Sequence, residues 1–161
     1  MQANAYDLTI IFGPRRQMFI PIYQRPYVWN KEKQWSKLWE DITNNARHIL
    51  TTQSNPSAAS KIRPHFMGAI VLDHYLTSFN KPEAKSVVDG QQRLTTLQII
   101  LVAIRDALPN CPDAERLRGR LGELVFNNHV EVEDDTCKVM PSNVDKQAYL
   151  AVMRAGSPSN L

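Results

Sequence analysis

The chain has 161 residues and a mass of 18.4 kDa, enough for one domain with a real core and too little for two well-packed ones. Apolar residues make up 43% and charged residues 22%, the balance of an ordinary globular protein. Nineteen basic against sixteen acidic residues leave a net charge of +3, compatible with a polyanion partner but too mild to establish one.

Cys111 and Cys137 do not make a disulfide framework, and neither has a nearby Cys or His at metal-ligand spacing. The N-terminus lacks a basic segment followed by a long apolar run, and no window approaches the roughly 18 apolar residues of a membrane span. These features read as a cytoplasmic chain with no membrane partner.

In chain order, residues 6–12 and 18–22 predict two short strands separated by the turn signal Gly13-Pro14. After the aperiodic stretch YQRPYVW (23–29), Asn30 is placed to cap a helix. Its apolar face carries Trp35, Leu38, Trp39, Ile42, Ala46 and Ile49, so burial is expected, with both tryptophans in the core. Residues 51–64 read as a surface loop. The nearly unbroken apolar run 65–76 predicts a central strand covered on both faces. SVVDG then delivers a further strand to a long helix with a stripe of Leu94, Leu97, Ile100, Leu101, Ile104 and Leu108, stopped by Pro109.

Residues 112–126 read as a weaker helix, and 129–140 as a hairpin turning at Asp134-Asp135. Ser142 and Asp145 resemble a capping box opening a final helix to Arg154. The polar coil 156–161 reads as the start of a linker, which places the domain at 1–155. Interleaved strands and helices give an α/β (α+β) domain whose sheet order the pattern leaves open.

The stretch VVDGQQRLTT carries the most chemistry. A helix N-terminus presents unpaired N–H groups and a partial positive charge, a ready anion site. Gly90 permits close approach, Gln91 and Gln92 offer amides, Arg93 can pair bidentately with phosphate, and Thr95 and Thr96 add hydroxyls. Local chemistry is equally satisfied if Asp89 merely caps the helix and Arg93 pairs with a surface carboxylate. The YQRPYVW stretch adds Gln24 and Arg25, with Tyr23, Pro26, Tyr27 and Trp29 as surfaces for base stacking or for a DNA mark; Trp29 also suits a core anchor. His48 at a helix end needs no functional account and Cys111 reads as an inert loop thiol, whereas the arginines 116, 118 and 120 read as a solvated face or else a basic patch touching DNA, and His65 as a structural histidine or else one reaching the site.

Taken in order, IPIYQRPYVW, WSKLWEDI, HFMGAIVL and VVDGQQRLTTLQII resemble the N-terminal domain of GmrSD-type modification-dependent restriction enzymes and of SspE-type phosphorothioate-sensing defence proteins. The resemblance implies a ParB/sulfiredoxin-like mixed sheet packed with helices. It further implies a nucleoside triphosphate, GTP or another, held by Gln24, Arg25, Gly90, Gln91, Gln92, Arg93 and Thr95, with Asp89 and Arg93 catalytic. Modified DNA and an HNH-type nuclease domain, in the same or a partner chain, are the implied partners. The chain has no GxxxxGK[ST] sequence, so no Walker lysine is available, and Asp89 is the candidate magnesium ligand. A non-catalytic module recognising phosphorothioate or otherwise modified DNA is the alternative.

Overall fold

The structure, a computed structural model, describes residues 4–53, 66–74, 82–128, 136–141 and 143–157. Two units are distinguished: Met1–Pro26 with Ala69–Leu161, and the inserted Tyr27–Gly68. Among the described residues no helix is long and apolar enough to cross a membrane.

The first unit contains α1 (Leu8–Ile11), β1 (Arg16–Phe19), β2 (Val71–His74), β3 (Glu83–Asp89), α3 (Gln91–Ala107), α4 (Pro112–Val125), β4 (Val139–Met140) and α5 (Asn143–Arg154); the second contributes α2 (Ser36–Gln53). It is an α/β fold on a four-stranded mixed sheet of order β2-β3-β1-β4. Strand β1 runs parallel to both β3 and β4, in register Arg16 with Glu83 and Met18 with Val139. Strand β2 closes the other side antiparallel to β3, with an irregularity between Val71 and Leu72. Met18, Val87 and Val139 from the sheet meet Leu94, Val102, Val125 and Met153 from the helices in the buried core.

Three sequence expectations change. Residues 6–12 are not a strand: Asp7 accepts the Ile10 N–H at 3.0 Å and caps α1, while Phe12 is fully buried beyond it. A local cap outweighs β propensity there. The apolar run from His65 does not give a central strand. Among its described residues, 66–74, only Val71–His74 is a strand, at the sheet edge, with Asp73 and His74 exposed, because β3 and β1 occupy the middle. His65 lies outside the described residues, as do Ser142 and the expected hairpin turn 129–135. Of that hairpin's second arm, Val139–Met140 pairs with β1, and Cys137 makes an isolated antiparallel bridge with Phe126.

In the second unit, Asn30 caps a π-helical turn (Lys31–Trp35) that leads into α2, its side chain accepting the Lys33 N–H at 3.1 Å. Tyr27 and Trp35 lie 6.4 Å apart, and the Trp35 Nε1–H donates to Tyr27 Oη at 2.8 Å. The apolar stripe of α2 is not a core face. Trp39 is 50% exposed, Trp35 is exposed too, and Leu38, Ile42 and Ile49 are only half-buried. Helical spacing fixes which residues share a face, not whether a second surface covers it.

Candidate phosphate-binding turn

Strand β3 ends at Asp89, the chain turns at Gly90, and α3 starts at Gln91. Gly90 has φ +97°, in the left-handed region that an L side chain adopts at a cost. A Cβ there would stand 3.1 Å from Ile70 Cγ1 and 3.3 Å from Ile70 Cα. Both constraints select glycine. Gly90, the N-cap, has no side chain to offer the helix, and among the described residues Asp89 makes no hydrogen bond to the first-turn N–H groups.

The glutamines have acceptors of their own. Gln91 Nε2 donates to the Arg25 carbonyl at 2.6 Å, and Gln92 Nε2 donates to the Pro26 carbonyl at 3.1 Å. From the other side Gln24 Nε2 donates to the Val88 carbonyl at 3.0 Å. Three amides therefore fasten residues 24–26 to the β3–α3 turn. Gln91 and Gln92 are buried, and a buried amide must find a partner. The same demand explains the rest of this polar helix start: Thr96 donates back to the Gln92 carbonyl at 2.7 Å, and Gln98 Nε2 donates to Leu124 of α4 at 3.1 Å. Thr95 is likewise buried.

Arg25 and Arg93 stand differently. The Arg25 side chain is exposed, and its guanidinium has no partner among the described residues. Arg93 is 31% exposed. Its Nη2 donates to the Ala69 carbonyl at 2.5 Å and lies 3.6 Å from Asp89 Oδ2. Its Nε is buried and unpartnered among the described residues. The Asp89 carboxylate is 70% exposed, and no group of three or more His, Cys, Asp or Glu converges among the described residues. That donor set suits magnesium only as a single carboxylate beside ligands supplied by a bound phosphate and water.

Of the expected aromatic contacts, Tyr23 is 76% exposed in the first unit, next to Arg25. Tyr27 and Trp29 are half-buried in the second unit, where Tyr27 is already bonded to Trp35. Two cavities lie elsewhere: a depression of about 690 Å³ among Arg105, Asp106 and Arg118, and one of about 150 Å³ among Tyr6, Ile10 and Lys85. The turn lines neither.

Sequence reasoning missed one buried cation. Lys138 is 1% exposed, and its Nζ donates to the Gly13 carbonyl at 2.7 Å and to Asn127 Oδ1 at 2.8 Å. Asn127 in turn donates to the Arg16 carbonyl at 3.0 Å. Burial, and then the Arg16 charge, lower the Lys138 pKa to about 8. A lysine in the run CKVM carries no local signal that its neighbours in space will be carbonyls.

The chain is thus an α/β domain whose β3–α3 turn is made by a left-handed glycine, with Arg93 in the first turn of the helix and the backbone of Arg25 held against it. Residues 8–161 match the family described as the GmrSD restriction endonuclease N-terminal domain, and the chain belongs to that family. It is therefore a restriction-system domain. No curated protein matches it.

Proposed function

We propose that this domain binds a nucleoside triphosphate at the β3–α3 turn and hydrolyses it. We further propose that the event is coupled to attack on modified DNA by a nuclease domain outside this chain. The observation that carries the reading is Arg25: an exposed guanidinium without a partner among the described residues, on a loop pinned by three amides beside the start of α3. Preorganised positive groups lower the energy of a transferring phosphoryl more than mobile ones do, because no reorganisation is needed as charge develops.

In this reading the Gly90 turn lets phosphate oxygens approach the first N–H groups of α3, and Arg25 contacts them directly. Arg93 contributes its Nη1 while Nη2 stays on Ala69. Asp89, exposed at the rim, orients the attacking water or holds a magnesium ion. Magnesium, when bound, would neutralise phosphate charge. Gln24, Gln91 and Gln92 act through Arg25 rather than on the nucleotide.

Phosphate release from GTP, CTP, UTP and ATP by wild type, Arg25→Ala and Arg93→Ala proteins tests this. Turnover lost in both variants supports it; equal protein-dependent turnover in all three removes both arginines from the mechanism.

A second reading, recognition of a DNA backbone mark such as a phosphorothioate, is favoured by Ile22 and Tyr23, both largely exposed beside Arg25. Their apolar surface suits a less hydrated sulfur while Arg25 takes the remaining oxygen. Affinity for marked and unmarked duplex at two salt concentrations separates this from nonspecific phosphate contact, which shows a salt slope without preference.

A further inference from the structure

The three motif side chains that follow Gly90 have targets with a common position. Gln91 holds the carbonyl of Arg25 and Gln92 that of Pro26, the last residues before the chain leaves the first unit at Tyr27. Arg93 holds the carbonyl of Ala69, the first residue after the chain returns from Gly68. Consecutive side chains of one helical turn thus grip both points at which the insertion is spliced into the first unit. The two points also differ in stiffness. Pro26 fixes its own φ, whereas Gly68 has φ +100°, which glycine adopts without a side-chain penalty.

We propose that the Gln-Gln-Arg sequence is a two-sided clamp on the exit and return of the inserted unit, and that an anion at the turn tightens it. The second clause rests on the nucleotide reading above; the first does not. An anion on the free N–H groups of Arg93 immobilises the guanidinium that holds Ala69. An anion on Arg25 immobilises the backbone that Gln91 and Gln92 hold. Occupancy of one small site would then be felt at both ends of the insertion. Gln91 and Gln92 are positioning residues in this scheme.

Amide exchange read by mass spectrometry on the intact protein tests the proposal in two arms. Without nucleotide, Gln91→Met with Gln92→Met should speed exchange at residues 24–28, and Arg93→Met at 66–71, each about fivefold or more, while β1 and β4 are unchanged. The control is Gln98→Met, which removes an amide-to-carbonyl bond of the same kind from the same helix but toward α4. It should leave both segments at wild-type rates even where it lowers the melting temperature. Should the control speed them equally, or the clamp variants leave them unchanged, the clamp is overturned. In the second arm, saturating GTP, with ATP and CTP in parallel, should slow exchange at both segments of the wild type. Binding measured by calorimetry without slower exchange overturns the tightening and leaves the nucleotide reading intact. No binding to any of the three overturns the nucleotide reading and the tightening with it, while the clamp stands on the first arm.

Discussion

Gln91 and Arg25 lie 66 residues apart in the chain, and the side-chain amide of the first donates to the backbone carbonyl of the second at 2.6 Å. The bond is short-ranged in space and long-ranged in sequence, so it holds a loop in place that has no regular structure of its own. Gln91→Met keeps the volume and removes the donor, and it should lower stability by about 1–2 kcal/mol. Gln91→Glu should cost more, since a carboxylate would face the carbonyl with no hydrogen to offer. Urea unfolding of the two variants gives the order.

Gly90 is the other fixed point of the turn. Gly90→Ala places a Cβ against Ile70 at φ +97° and should destabilise by about 1–3 kcal/mol. A thermal melt a few degrees or more below wild type is expected.

Much of the local structure around this turn was legible in the sequence. The strand-glycine-helix order and the three helices α3, α4 and α5 follow from turn chemistry and spacing. What the sequence does not print is who accepts. An amide in DGQQR reads equally as a ligand donor or an internal one, and only the proximity of Arg25 and Pro26 shows that Gln91 and Gln92 are engaged within the fold. Misreadings at 6–12 and at the run from His65 have the same root. Apolar content says that a segment is partly covered, while a single Asp7 cap or the position of β3 decides which element forms and where.

Lys138 makes stability depend on alkaline pH. Its folded pKa is lowered to about 8 while the unfolded value is near 10.4. Between those values the unfolded chain binds more protons, so stability should rise as pH climbs from about 8 toward 10. Tyr149, whose pKa burial raises well above its ordinary value, acts oppositely. Above about pH 10 the unfolded tyrosine ionises and the folded one does not, so stability falls again. Urea midpoints from pH 7 to 10.5 should trace a maximum, and Lys138→Met should lose the rising limb.

The apolar stripe of α2 should prove tolerant. Trp39 is 50% exposed, so Trp39→Gln is expected to change stability by less than about 1 kcal/mol. Trp35→Phe removes the bond to Tyr27 Oη and should cost about 1 kcal/mol. Tyr27→Phe at the same bond provides the double-mutant cycle, and the two losses should not add.

Calorimetric titration of GTP, ATP, CTP and UTP into wild type and Arg25→Ala bears most directly on the anion site. Arg25 is exposed and has no partner among the described residues, so its loss should leave the melting temperature within a degree or two of wild type. Affinity for the nucleotide that binds should fall at least tenfold. Wild-type affinity in Arg25→Ala, with the same unchanged melt, would contradict the assignment of this turn as the phosphate site.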